Sequence, residues 1–315
     1  MTKISQWIRS LVDTKQRCFY TFQMDGVGLL RQLQFEEFLY RKVAPLADRC
    51  VFFLINNHRR TGTEAVVMGL SGKEPDFVKD PEGTRSRGIK IIKRFTGGGT
   101  VIVDKCSLNT SVIASTQLAN KLSPTQICSW SYENVFKNCG LFNERFTIVE
   151  GDFVVKDSIS EDSVNTAVTL DGQAPAKTYY KVAGNSQAYN NKAFVHHSVF
   201  LWDISPLISQ ILLHPKKTPT YRGGRDHMSF LRSVREALDI RMGLTTIDDF
   251  EQALCDRVGR SLLGQINRNV HVKVSVNQQH DGDIRDALNS DEISLSDSFL
   301  DEAISEIGGP LTSLV

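Results

Sequence analysis

The chain has 315 residues, a formal net charge of +1, 41% hydrophobic residues and 23% charged residues. That length allows one large domain or two ordinary ones around a sizeable core. The near-neutral balance argues against a nucleic-acid coat or a polybasic membrane anchor, so an anionic ligand must be met by local charge. Six scattered cysteines without a C-x-x-C pair argue against a zinc site or disulfide scaffold and favour a reducing compartment, and no apolar run reaches membrane-spanning length.

Along residues 1–20, Trp7, Ile8 and Leu11 alternate with Lys3, Arg9, Lys15 and Arg17. This reads as a short amphipathic N-terminal helix, with an organelle-import segment as the other reading. Residues 28–43 place Leu29, Leu33, Phe35, Phe38, Leu39 and Val43 at helical spacing. Strands follow at 49–55, 64–69 and 89–94, with an irregular Gly/Pro-rich stretch between the last two. "TVIVD" and "LNTSVIAS" return to β character. A helix is expected from Ser123-Pro124 to a stop at Gly140, then a hairpin turning at Glu150-Gly151. Residues 157–177 have the composition of a flexible insertion. β character resumes in "YYKVAGNSQAY" and "FVHHSVFLWDIS", helical patterns run from Ser229 to Leu263, and residues 270–276 suggest a last strand. From Asp281 onward nine acidic residues face one basic residue, Arg285, which reads as a mobile tail with room for short helices. The expected architecture is α+β around a mixed or antiparallel sheet. Residues 1–20 form an extension, 21–264 the main domain, and 265–315 a strand with an acidic tail.

Several stretches carry candidate chemistry. In "KRFTGGGTVIVD", Gly97, Gly98 and Gly99 lack Cβ atoms, so their amides can turn toward a phosphate or carboxylate beside Lys93 and Arg94. A tight glycine hairpin explains the triplet equally well, and the Gly-x4-Gly-Lys-Ser/Thr phosphate loop is missing. Lys181, in "YKVAGNSQAY", is either a solvated edge lysine or a cation held over a reacting oxygen. Asp152 is a turn residue, a magnesium ligand or an anchor for Lys181. His196 and His197 face opposite sides of a strand, so they cannot share one metal; one is expected packed and hydrogen-bonded, the other free to face a pocket. "PKKTPTYRGGRDH" is a basic loop or a lid over an anion.

Taken in order, "KRFTGGGTVIVD", "GDFVV" and "KVAGNSQAYNNKAFVHHSVFLWD" resemble the lipoate–protein ligase catalytic domain, over roughly residues 22–235. "LQFEEFLYR", "VVMGLSGK" and "YRGGRDH" resemble a eukaryotic branch of such proteins. The family signature of Arg-x-Ser/Thr-Gly-Gly-Gly is matched by Arg94, Thr96, Gly97, Gly98 and Gly99. Asp152 stands at the acidic position, after Gly151 rather than asparagine. Lys181 and Gly184 match the lysine motif, with Asn185 and Ser186 in place of Ser-Ala. His196 and His197 match the His-His-Gly ending, with Ser198 in place of glycine. Val103 stands where the family commonly has histidine, and Cys106-Ser107 where it has Gly-Asn, although Asn109 is kept.

The resemblance implies the class II synthetase-like fold of biotin and lipoate ligases, with a mixed or antiparallel sheet flanked by helices. It implies that lipoate or octanoate reacts with ATP and Mg2+ to an acyl-adenylate, which a lysine of a lipoyl domain then attacks. Such domains belong to 2-oxoacid dehydrogenase complexes or the glycine cleavage H protein. Lys181 would be catalytic. Arg94, Thr96, Gly97, Gly98, Gly99, Thr100, Asp152, Gly184, Asn185 and His197 would bind substrate, with Arg94 neutralising phosphate and Asp152 placing nucleotide or magnesium. An apolar slot lined from "AVVMG" and "TVIV" would take the dithiolane. A monomer in mitochondria or cytoplasm is expected, with no nucleic acid or membrane. A carrier-to-carrier acyl transferase and a non-catalytic lipoyl-carrier-binding relative are the alternatives. No cysteine lies between Cys139 and Cys255, so the transferase would need Cys139 or Cys106 to approach by folding.

Overall fold

The structure is a computed structural model that describes residues 2–119, 121–157, 178–261, 266–275 and 292–315. The expected insertion at 157–177, apart from Asp157, lies outside the described residues, as does the acidic stretch 281–291.

Seven strands form the main sheet: β1 (Cys18–Asp25), β2 (Cys50–Asn57), β6 (Ser107–Ser115), β10 (Ala183–Tyr189), β11 (Ala193–Leu201), β12 (Arg268–Ser275) and β13 (Glu292–Ser296). Their spatial order is β10-β11-β6-β2-β1-β12-β13. The first four in this order pair antiparallel with one another, whereas β1 runs parallel to β2 and β12, and β12 parallel to β13. The sheet is therefore mixed, as the sequence suggests. A second sheet orders β14 (Ser313–Leu314), β4 (Lys90–Lys93), β3 (Ala65–Met68) and β5 (Val101–Val103). A third joins β7 (Phe146–Val149), β8 (Asp152–Lys156) and β9 (Tyr179–Lys181).

Strand alternation divides the core. Phe52 and Leu54 of β2 join Trp7, Phe22, Phe35 and Phe299 on one face; Phe53 and Ile55 join Phe136, Phe153, Phe200 and Phe250 on the other. The first face is covered by helices α1 (Lys3–Asp13) and α2 (Leu29–Phe38), the latter continuing as a π turn to Val43. The second packs against the helix Ile247–Ser261 and the helical turns from Pro124 to Cys139, which stop at Gly140 in the left-handed region.

Three expectations need correction. The acidic segment is ordered from Glu292: Phe299, Leu300 and Ala303 of the helix Asp297–Ser305 are buried on the sheet, with charges kept outward. Beyond it, the fully buried Glu37 carboxylate accepts from the amides of Leu311 and Thr312, and Thr312 accepts from the Phe95 amide. Between 229 and 246 the chain makes short 3-10 turns rather than a long helix, with Gly243 at φ 62° ending one of them. The stretch read as irregular holds two short helices, Glu74–Phe77 and Pro81–Ser86, the second capped by Asp80 through the Gly83 amide.

Candidate functional site

The glycine loop leaves β4 and returns as β5. Arg94 is fully buried and shapes it: Nε donates to Thr96 Oγ1 at 2.8 Å, Nη1 to the Val67 carbonyl at 3.1 Å, and Nη2 to the carbonyls of Gly97 at 3.1 Å and Gly99 at 2.7 Å. Those carbonyls therefore turn inward. Among the described residues no backbone carbonyl accepts from the amides of Gly98, Gly99 or Thr100, which leaves donors for a ligand. Only Gly98 has a positive φ, 103°, and its carbonyl lies 2.4 Å from where a Cβ on Gly69 would stand. Arg94, expected to neutralise phosphate, here directs its nitrogens to the Gly97, Gly99 and Val67 carbonyls and to Thr96.

β10 packs against this loop. The Gly97 amide donates to the Gln187 carbonyl at 3.0 Å, and Thr96 Oγ1 meets Ser186 Oγ at 3.1 Å. Gly184 has no room for a side chain, because a Cβ there would stand 2.6 Å from Val101 Cγ1. This close approach sets the lysine motif beside the glycine loop.

Lys181, the last residue of β9, donates from Nζ to Asp152 Oδ1 at 2.7 Å. Tyr221 Oη donates to Asp152 Oδ2 at 2.9 Å. Both carboxylate oxygens are thereby engaged, and no cluster of three or more His, Cys, Asp or Glu able to hold a metal exists among the described residues. Asp152 therefore fits the role of anchor for Lys181. Its hairpin turns at Glu150 (φ 50°) and Gly151 (φ 82°), as expected for that dipeptide.

Lys181, Asp152, Gly99, Thr100 and Asn185 line a single cleft of about 440 Å3, a volume suited to a small-molecule site. Its far wall is the basic segment: Lys217, Arg222 and His227 line it too. Glu150 holds that segment, accepting from the amides of Thr220 at 2.8 Å and Tyr221 at 3.1 Å. Arg222 is buried with its guanidinium 4.7 Å from the Phe230 ring centre.

Sequence reasoning passed over Glu150, Tyr221 and Cys128. No local pattern marks a carboxylate for amides seventy positions away. Cys128 donates to the Gly151 carbonyl at 3.2 Å and lies 3.8 Å from Asn185 Nδ2. Burial pushes its thiol up to about 12, with the Asp152 charge adding to the shift. Cys139 is buried in the core, its thiol also raised to about 12, and Cys106 lines a separate groove with Trp202 and Asp203. A buried protonated thiol is a poor nucleophile.

His197 and His196 do face opposite sides. His196 lies with its ring centre 5.5 Å from that of Phe153, while His197 Nδ1 stands 3.6 Å from Glu36 Oε2. Both are buried, and neither has a hydrogen-bond partner among the described residues, which corrects the expectation that one would be hydrogen-bonded.

Residues 29–259 match the lipoyl protein ligase A/B catalytic domain. The chain belongs to that family. It is 30% identical over 262 residues to a Plasmodium falciparum protein named inactive lipoate–protein ligase 2, a match covering 71% of this chain and 65% of that protein, so the chain spans just under two thirds of the relative's length. Among solved structures, it resembles one from an archaeal lipoylation system, a bipartite lipoate protein ligase with its E2 lipoyl domain from Thermoplasma acidophilum. That likeness has a TM-score of 0.56 and 16% identity, covering 93% of this chain and 92% of the other. It also resembles lipoate–protein ligase A bound with ATP, with a TM-score of 0.55 and 17% identity, covering 93% and 94%. The mixed-sheet ligase fold implied by the motif order is thus the fold observed.

Proposed function

We propose that this chain is a lipoate–protein ligase, activating lipoate or octanoate with ATP and passing the acyl group to a lysine of a lipoyl domain. The observation that carries the reading is the Lys181–Asp152 pair facing the glycine loop across one cleft. In the first step a carboxylate oxygen of the acid bonds to the α-phosphorus of ATP, and the bond to pyrophosphate breaks. In the second, a lipoyl-domain amine bonds to the acyl carbonyl carbon, and AMP leaves with the electron pair of the C–O bond.

Lys181, fixed by Asp152, offers an ammonium to the charge that develops on phosphoryl and carbonyl oxygens in both steps. The amides of Gly99 and Thr100 supply neutral donors on the opposite wall. Lys217 and Arg222 add positive charge for the phosphates, with Mg2+ arriving on the triphosphate rather than in a protein cage. Carriers from 2-oxoacid dehydrogenase complexes or the glycine cleavage system are the proposed partners of a monomer, in mitochondria or cytoplasm.

Pyrophosphate release measured with lipoate, octanoate and biotin tests this directly. Release with the first two acids and not with biotin is expected. Acyl transfer without ATP from an octanoyl carrier would instead make it a transferase, a reading that the raised Cys128 thiol disfavours. One observation favours a non-catalytic carrier-binding relative: the apolar slot behind the glycine loop has a free volume of only about 10 Å3. Absence of release with every acid would decide for it.

A further inference from the structure

Two carboxylates of one hairpin grip one turn of the basic segment. Glu150 accepts from the amides of Thr220 and Tyr221, and Asp152 accepts from the Tyr221 hydroxyl at 2.9 Å. The other oxygen of Asp152 holds the Lys181 ammonium at 2.7 Å. A carboxylate bonded through both oxygens has its plane fixed, whereas one bonded through a single oxygen turns easily about its last side-chain torsion. The Tyr221 hydroxyl is the bond that keeps Asp152, and Lys181 with it, from turning. Burial, with the Asp152 charge beside it, pushes that phenol well above its usual range, so it stays protonated and donates.

The same turn faces the ligand. Arg222, the next residue, is 4% exposed and lines the cleft, and among the described residues its Nη2 has no hydrogen-bond partner. Buried polar atoms are almost always paired, so an open guanidinium donor at a cleft wall marks the place of an oxyanion. Phe230 packs against both residues: its ring centre lies 5.3 Å from that of Tyr221 and 4.7 Å from the Arg222 guanidinium. The phenol and the guanidinium are thereby held as one body.

Resting on the reading of the cleft as an acyl-adenylate site, we infer that Tyr221 is a positioning residue for Lys181, tying the seating of the lysine to that of the phosphate-facing segment. A phosphate drawn to Arg222 holds the turn in place, the turn keeps the hydroxyl on Asp152, and Asp152 keeps the ammonium where the acyl–phosphate bond forms. Without the hydroxyl, Lys217 and Arg222 still meet the phosphates, but the lysine is no longer fixed with them. The loss therefore falls on turnover and not on ATP affinity.

Tyr221→Phe in the full chain tests this, because it keeps the ring on Phe230 and the amide on Glu150 and removes one oxygen. In pyrophosphate release with lipoate, kcat is expected to fall about tenfold while the KM for ATP stays within about twofold of wild type. In a Lys181→Met background the same change should cost nothing further, since no ammonium remains to be positioned. An unchanged kcat in Tyr221→Phe, a loss carried wholly by KM, or an equal loss in the Lys181→Met background overturns the inference. Absence of release by the wild-type chain with every acid removes the ligase reading and the inference together, and the wild-type control tells that outcome apart from the others.

Discussion

The Nη2 group of Arg94 lies 2.7 Å from the Gly99 carbonyl, and the same nitrogen reaches Gly97 at 3.1 Å. A single buried guanidinium thus turns two loop carbonyls inward and leaves neighbouring amides for the cleft. Lysine carries the charge but not the planar fork of donors. Arg94→Lys should therefore lower stability by about 2–4 kcal/mol and reduce acyl activation together. Chemical denaturation and pyrophosphate release, measured on one preparation, check this. Full stability in the variant would show that the loop holds its shape unaided.

Gly184 and Val101 make a second coupled pair. A methyl group on Gly184 would meet Val101 Cγ1 at 2.6 Å, so Gly184→Ala should push β5 away from β10 and cost about 1–3 kcal/mol. Val101→Ala in the same chain should recover most of that loss. A double-mutant cycle by urea denaturation reads the coupling; additive effects would mean that the two residues do not touch.

Glu150 accepts two amides of the basic segment. Its truncation in Glu150→Ala should free that wall, so that trypsin cuts faster at Lys216, Lys217 or Arg222. The KM for ATP should rise several-fold, while global stability changes by less than about 1 kcal/mol, since the carboxylate is exposed. Unchanged proteolysis would show that other contacts hold the segment.

Burial lowers the pKa of His58, His196 and His197 from 6.5 to about 3. A histidine held neutral in the fold contributes stability that is present above pH 6.5 and is lost as pH falls toward 3, because the unfolded chain takes up the proton first. Each should add about 1.4 kcal/mol per pH unit to the acid slope. Glu36 works in the opposite sense: burial raises it from 4.5 to about 7, so it lowers stability progressively as pH climbs through that window. Relative to wild type, His196→Leu should gain stability between pH 6 and 5, and Glu36→Gln between pH 5 and 7. Urea midpoints across that range check both, and parallel curves would contradict the assignment.

Much of this was readable in the order of residues. Three glycines after a basic strand, an acid after a turn glycine, and a lysine before Gly184 suffice to anticipate one cleft, since each motif ends or begins a strand. The two histidines follow from strand alternation. Side-chain direction was not readable: nothing local says that Arg94 turns back onto its own loop instead of toward a phosphate. Short helices in the C-terminal tail were expected, but their packing on the sheet was legible and overlooked. Phe299, Leu300, Ala303 and Ile307 recur on one helical face, but the acidic composition masked them. Cys128 reaches the site through a fold contact that linear distance from Lys181 conceals.

The central claim is that the Lys181 ammonium, held by Asp152, acts across the cleft from the glycine loop. ATP-dependent attachment of lipoate to an apo lipoyl domain tests it most directly, comparing wild type with Lys181→Met. The account predicts labelling by wild type and a loss of about 100-fold or more in the variant, with the thermal midpoint little changed. Labelling by Lys181→Met at the wild-type rate would contradict it.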